Sequence, residues 1–303
     1  MFRVALPNKG TLAEPAAQMM RDAGYRQRTD SRDLNVVDEE NQVEFFYLRP
    51  KDIATYVGAG NLAFGITGHD LMDESGSPVK AVMRLGFGRS QFRYAVHERN
   101  DWKFEDLEGR KIATSYPRLV RADLAARRIR AEIVKLDGAV EIAVHLGLAD
   151  AIADVVSSGR TLRQNHLKAI GQPIASSQAT LIEREPRHDR IESADDRTGK
   201  PVFMQRIRGV VYARLFHMLD YDCPLAVLDQ AKVITPGVQA PTVAPLTDRD
   251  WVAVRVMVKR KSANDAMDRL AKLGCRAILT TEIRSCRVIE NGDLMDEDED
   301  GLV

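Results

Sequence analysis

Apolar and polar positions change rhythm along this chain, and each change marks an element. Arg3 to Leu6 alternates, with Val4 and Leu6 apolar, and predicts a strand turned by Pro7-Asn8-Lys9-Gly10. Thr11-Leu-Ala-Glu14 has the spacing of a capping box, so a helix is expected from Leu12 to about Ala23, stopped by Gly24. Val43 to Leu48 predicts a strand, Ile53 to Val57 a helical run ending at Gly58-Ala-Gly60, Leu62 to Ile66 a further strand, and a helix starts near Leu71. The glycine-rich stretch Leu85-Gly-Phe-Gly-Arg-Ser90 leads into a strand over Gln91 to Val96. Lys111 to Thr114 reads as a strand, Leu119 to Arg130 as a helix and Ala131 to Leu136 as a strand.

Val140, Val144 and Leu148 recur at steps of four beside Ala143 and Gly147, which predicts a packed helix with Asp137 as its N-cap. Ala151 to Val156 is short and apolar and predicts a buried strand with Asp154 near its C-terminal end. Ser157-Ser158-Gly159-Arg160-Thr161 then turns into a helix that Thr161 could cap. Small residues before a helix start expose backbone N–H groups, which suits a phosphate; they also serve as plain turn chemistry. Glu141 and Asp154 beside such a loop favour the first reading. Carboxylates repel phosphate, so their presence suggests a sugar whose hydroxyls they hold, or magnesium. A phosphorylated ribose satisfies both.

Farther on, Lys168 to Gly171 and Gln178 to Glu183 read as strands that return the chain to its first lobe. Two crossings between lobes imply a hinged cleft, as in periplasmic-binding-protein-like folds, an architecture shared by binders and enzymes. Arg184 to Lys200 is charged and reads as an exposed loop. From Phe216 the pattern becomes βαββαβ: a strand over Phe216 to Leu219, a helix opened by Asp222-Cys223-Pro224 and reaching Lys232, strands over Thr242 to Leu246 and Trp251 to Val258, a helix over Ala263 to Leu273, and a strand over Ala277 to Val288. This is a ferredoxin-like layout. Residues 290–303 form an acidic tail whose composition predicts disorder.

Composition narrows the function. Lys+Arg and Asp+Glu number 44 each, so no global charge calls for nucleic acid or an anionic membrane. No segment approaches the roughly 20 apolar residues of a membrane span, and the apolar start is too short for a signal peptide, which places the protein in the cytoplasm. Cys223, Cys275 and Cys286 lie far apart and read as reduced structural thiols; His145 receives no role.

Asp137-Gly-Ala-Val-Glu141 followed by Gly147-Leu-Ala-Asp150-Ala-Ile-Ala-Asp154-Val-Val-Ser-Ser-Gly159-Arg-Thr161-Leu162 resembles the phosphoribosyl-pyrophosphate site of the ATP phosphoribosyltransferases. That family catalyses the first step of histidine biosynthesis. The resemblance runs from Arg3 to about Cys286 and is closest to the long form, which carries a C-terminal regulatory domain. It implies an α/β, two-lobed periplasmic-binding-protein-like core with residues 1–90 and 178–212 in lobe I and 91–177 in lobe II. An ACT-like ferredoxin-like domain follows at 213–289, then the tail at 290–303.

The resemblance also implies roles. Val155, Val156, Ser157, Ser158, Gly159, Arg160 and Thr161 would form the phosphate-binding segment, with Glu141 and Asp154 on the ribose. Arg49, which with Lys51 brackets Pro50 at a strand's C-terminal edge, would contact substrate phosphate, assisted by Lys51; without the resemblance the pair could equally be a solvated turn. Lys9 corresponds to an active-site lysine, though alone it reads as a surface residue. Asp70, in Gly65-Ile-Thr-Gly-His-Asp70, is either an N-cap or a carboxylate holding a ribose hydroxyl or the adenine amine. Tyr116 is a stacking surface for a purine and Arg118 a phosphate contact, or both are structural.

Adenine N1 of ATP would attack C1 of the phosphorylated ribose, with Mg2+ carried mainly by the departing pyrophosphate. L-Histidine would inhibit through Asp222, with Val238, Thr242, Met257 and Ala277 as pocket wall; the last four also read as ordinary core. A homo-oligomer, dimer or hexamer, is expected. The competing reading is a cytoplasmic small-molecule sensor, a two-lobed binder without chemistry.

Overall fold

The computed structural model describes residues 1–157, 159–186 and 193–287; Ser158, residues 187–192 and residues 288–303, which include the acidic tail expected at 290–303, lie outside the described residues. The elements run β1 (Phe2–Pro7), α1 (Ala13–Asp22), β2 (Asn35–Asp38), β3 (Val43–Leu48), α2 (Pro50–Ala59), β4 (Phe64–Gly68), α3 (His69–Ser75), β5 (Val79–Arg84) and β6 (Ser90–His97). There follow β7 (Lys111–Thr114), α4 (Pro117–Ala126), β8 (Glu132–Lys135), α5 (Ile142–His145), β9 (Ala151–Val156), α6 (Arg160–Gln164), β10 (Leu167–Ser177) and β11 (Ala179–Arg184). The last set is α7 (Ala194–Ala213), β12 (Phe216–Pro224), α8 (Leu228–Ile234), β13 (Thr242–Pro245), β14 (Trp251–Lys259), α9 (Ala263–Lys272) and β15 (Arg276–Glu282).

Two compact units result among the described residues, one of Met1–Ala17 with Arg26–Asp196, the other of Gln18–Tyr25 with 197–287. The first unit holds two sheets. One has the order β2, β3, β1, β4, β11, β5, and the other β10, β6, β9, β7, β8. The chain leaves the first sheet after Arg84, enters the second at Ser90, and returns between Ser177 and Ala179 to place β11 antiparallel between β4 and β5. This double crossing is the expected two-lobed, periplasmic-binding-protein-like core.

Period-two burial explains the second sheet. Phe92, Tyr94 and Val96 of β6 pack on one face with Ala151 and Ala153 of β9, while Ala95 and Ile152 pack on the other with Val140, Ala143 and Leu162. On the first sheet, Ile53, Ala54 and Val57 of α2 pack against Ala5 and Ile182. The close approach needs Gly65, where an added Cβ would collide with Ile53 and come within 3.0 Å of Val57.

The second unit carries the expected βαββαβ ferredoxin-like domain. Its sheet has the order β13, β14, β12, β15, antiparallel throughout. Val252, Val254, Val256 and Leu219 face Ala231 of α8 and Ala266 and Leu270 of α9. Among the described residues no helix is long and apolar enough to cross a membrane, and the three cysteines are free.

Several local expectations are corrected. The helix at 137–148 is only α5, four residues long, because Ala139 at φ 51° and Gly147 at φ 70° are left-handed on either side of it. Leu148 is consequently exposed, and Asp137 caps nothing and pairs instead with Lys51. The loop expected at 184–200 becomes helix from Ala194 onward: α7 has 20 residues, with Pro201 inside it. Its buried positions Phe203, Ile207 and Val210 have helical spacing, but the charged first turns mask it. Asp222 does not open a helix; it lies within β12. The strands β2 and β5 carry mixed, half-exposed patterns that sequence periodicity did not single out.

Candidate active site

The sequence places Asp154 where β9 leaves the core. Ala151, Ile152 and Ala153 are fully buried, and Asp154, paired in register with Arg93, is half-buried at the strand's open end. Its Oδ1 accepts the Val155 N–H at 2.8 Å. Burial pushes the Asp154 carboxyl up to about 6; the Val155 N–H opposes this, while the charges of Glu141 and Asp70 add to it. Glu141 immediately precedes α5 and shares a pocket with Asp154, Val155, Val156, Ser157, Gly159, Arg160 and Thr161. The structure therefore brings together the two acids and the described part of the loop; Ser158 is outside the described residues.

Gly159, not Thr161, is the N-cap of α6. It sits at φ 67°, a left-handed turn that glycine adopts without strain, and Thr161 falls in the first helical turn. A hydroxyl at that position faces the same pocket as the acids.

A second polar cluster adjoins the first. Asp70 is buried, and the N-cap of its helix is Gly68, so the capping alternative does not hold. The Ser177 hydroxyl donates to Asp70 Oδ1 at 2.6 Å and accepts the Asp70 backbone N–H at 3.1 Å. Burial, together with the charges of nearby Asp70, Asp154 and Glu74, raises the Tyr116 phenol far above the usual range. The Tyr116 ring rests on Phe92 with centroids 4.9 Å apart. Ser177 lies 107 residues from Asp70, so no local sequence signal joins them.

The cations are spread more widely. Arg49 is the exposed N-cap of α2, and Lys51 in its first turn places Nζ 3.4 Å from Asp137 Oδ1. Lys9 is exposed between β1 and α1. Arg118 is not brought to the acids. Its guanidinium lies against Gly76, the left-handed C-cap of α3, and near Asp73.

A larger cavity of about 560 Å³ opens beside the loop and shares Val156 and Ser157 with it. His69, Arg84, Arg89, Gln91, Ser177 and Gln178 also line it. Sequence reading missed these residues, although the two arginines flank the glycine-rich crossing that it did identify. Its size suits a nucleotide-sized ligand.

In the ferredoxin-like unit the five expected pocket residues divide. Register pairs Asp222 with Ala253 and Thr242 with Arg255, which puts Asp222 and Thr242 on the sheet face away from α8 and α9. Ala277 lies at φ 47° where β15 is irregular against β12. Val238 and Met257 line a cavity of about 370 Å³ with Phe216 and Ile234, and Asp222, Thr242 and Ala277 are not among its described lining.

Comparison with known proteins accounts for both units. A family model described as ATP phosphoribosyltransferase matches residues 49–198, and one described as HisG, C-terminal domain, matches residues 213–285. Curated proteins called ATP phosphoribosyltransferase from Rhodococcus jostii (strain RHA1) and Nocardia farcinica (strain IFM 10152) are 57% and 58% identical; each alignment covers 95% of this chain, and 100% and 99% of the respective relative. A solved structure titled ATP phosphoribosyl transferase (HisG:HisZ) complex from Thermotoga maritima superposes with TM-score 0.58 at 22% identity, over 70% of this chain and 99% of that one. The last shows a shared fold, and the near full-length identity shows more: this chain belongs to the ATP phosphoribosyltransferase family, a family of pentosyltransferases.

Proposed function

We propose that this chain transfers the phosphoribosyl group of phosphoribosyl pyrophosphate to N1 of the adenine of ATP, releasing pyrophosphate, as the first committed step of L-histidine biosynthesis. The observation that carries the reading within the structure is the shared pocket of Glu141, Asp154, Ser157, Gly159, Arg160 and Thr161, with the nucleotide-sized cavity sharing Val156 and Ser157 with it. Two phosphorylated substrates need two adjoining spaces; a sensor for one small molecule does not.

The reaction needs no protein nucleophile. Adenine N1 attacks C1 of the ribose as the C1 to pyrophosphate bond breaks, so the side chains act by positioning and by stabilising charge. The loop with Gly159 and Thr161 holds the 5′-phosphate, while Lys9 reaches substrate from its turn. Glu141 and Asp154 hold the ribose hydroxyls and stabilise positive charge developing at C1. Arg49, with Lys51, neutralises the departing pyrophosphate. Asp70 and Tyr116 meet the purine nucleoside.

Two facing carboxylates supply hard oxygen donors and, among the described residues, no group of three or more metal-binding side chains gathers. That donor set fits a magnesium ion that keeps most of its ligands from substrate phosphates and water. Bound so, magnesium would neutralise charge on the pyrophosphate.

The domain assignment given by the resemblance, lobe I at 1–90 and 178–212, lobe II at 91–177 and the regulatory domain at 213–289, is kept as part of this proposal. So are feedback inhibition by L-histidine at the ferredoxin-like unit through Asp222, a dimeric or hexameric assembly, and a place in the cytoplasm. Pyrophosphate release from the purified full chain, with ATP, phosphoribosyl pyrophosphate and magnesium each omitted in turn, tests the reading. Release requiring all three supports it. Binding of either substrate without release in the complete mixture rejects it in favour of the sensor.

A further inference from the structure

The first turn of α4 lacks a capping group of its own. Its N-cap, Tyr116, makes no side-chain cap bond, and Pro117 at the first helical position has no N–H to offer. The acceptors come from elsewhere in the chain. Glu74, 44 residues earlier on α3, accepts the Arg118 N–H on Oε1 at 3.1 Å and the Leu119 N–H on Oε2 at 2.9 Å. Sequence reading assigned nothing to Glu74.

One helical turn before Glu74 on the same helix, Asp70 is fixed by Ser177 and its charge acts on the Tyr116 phenol. Helix α3 follows β4 of the first sheet, and α4 follows β7 of the second. A seven-residue helix of one lobe thus grips the start of a helix in the other by the backbone immediately after its N-cap residue, Tyr116. The phosphate loop after β9 is not part of this grip.

We propose that Glu74 is a positioning residue that sets Tyr116 against the purine side of the cleft. The inference rests on the reading that Tyr116 meets the adenine nucleotide. Losing the carboxylate frees the first turn of α4 and lets Tyr116 drift, so binding of ATP suffers while the site around Glu141, Asp154 and the loop keeps its geometry.

The test is steady-state pyrophosphate release by the full chain, with KM measured separately for ATP and for phosphoribosyl pyrophosphate in wild type, Glu74→Ala, Glu74→Gln, Glu74→Asp and Tyr116→Ala. Glu74→Ala should raise KM for ATP about tenfold, as expected for the loss of a charge-assisted cap, and leave KM for phosphoribosyl pyrophosphate within about twofold. Glu74→Asp, which keeps the charge, should recover part of the loss. Should Glu74→Ala not fold, Glu74→Gln, with one acceptor left, carries the same asymmetry at smaller size. Equal effects on both KM values, or none, overturn the proposal. Tyr116→Ala separates the two ways to fail: a raised KM for ATP there with none in the Glu74 variants defeats the grip alone, whereas an unchanged KM for ATP in Tyr116→Ala removes the purine role of Tyr116 and the proposal with it.

Discussion

The Ser177 hydroxyl and the Asp70 carboxylate meet at 2.6 Å, joining the last residue of the second sheet's longest strand to the helix that follows β4 of the first. The bond sits where the chain returns between lobes, and it orients the carboxylate whose charge acts on Tyr116. Ser177→Ala leaves the buried carboxylate short of a donor and should cost about 1–3 kcal/mol of stability. Chemical denaturation of the variant and wild type measures it, and unchanged stability would show that the bond contributes nothing net.

Gly68 guards the same contact from the other side. Its backbone is in an ordinary extended conformation, so alanine brings no dihedral strain, but a Cβ there would collide with Asp70 Oδ1. Gly68→Ala should displace Asp70 from Ser177 and weaken the use of ATP more than that of phosphoribosyl pyrophosphate. The comparison of the two KM values is the readout.

On the proposed assignment, Asp154 should make activity depend on pH. With its carboxyl at about 6, kcat/KM for phosphoribosyl pyrophosphate should fall on the acid side with an apparent pKa near that value, and Asp154→Asn should be weakly active with that limb absent. Stability runs the opposite way. The folded protein holds this proton more tightly than the unfolded chain, whose carboxyl has the ordinary value of 3.8, so the contribution is full below that value, declines as pH rises and is lost above about 6. Asp154→Asn should therefore raise Tm relative to wild type at pH 8 and less so at pH 4, a gain in stability set against a loss of function. Thermal unfolding at the two pH values checks the sign.

Gly159→Ala places a side chain in a left-handed conformation at the start of α6 and should cost roughly 1–2 kcal/mol locally. A Cβ would also stand 3.2 Å from an Arg163 guanidinium nitrogen. Titration with phosphoribosyl pyrophosphate should show weaker binding, with ATP binding little changed.

The proposed feedback inhibition by histidine can be tested at Asp222. If histidine is held by this carboxylate on the sheet face away from α8 and α9, Asp222→Asn should raise the histidine concentration for half inhibition by roughly tenfold, with activity in its absence unchanged. Inhibition curves for both proteins decide it.

How much of this was legible in the sequence depended on whether the forces involved were local. Val43–Leu48, Lys111–Thr114 and Ala151–Val156 form strands at the expected bounds because their apolar runs end at turn residues. The pairing of Glu141 with Asp154 and the loop also emerged from sequence, since strand, turn and helix are consecutive there. The helix α5 was overestimated because the apolar spacing of Val140, Val144 and Leu148 persists where Ala139 and Gly147 break the backbone. The helix α7 was lost because its exposed first turns carry no apolar stripe. Ser177 on Asp70 and Glu74 on α4 are contacts between distant segments, and only the crossing of the chain between sheets creates them.

The central claim is that a bond forms between ribose C1 and adenine N1. The most direct measurement is nuclear magnetic resonance of the nucleotide product made by the purified chain from ATP, phosphoribosyl pyrophosphate and magnesium. The anomeric proton of the added ribose should correlate with adenine C2 and C6, the two carbons flanking N1. A product ribosylated at another atom, or a complete mixture that yields no new nucleotide, would contradict the account.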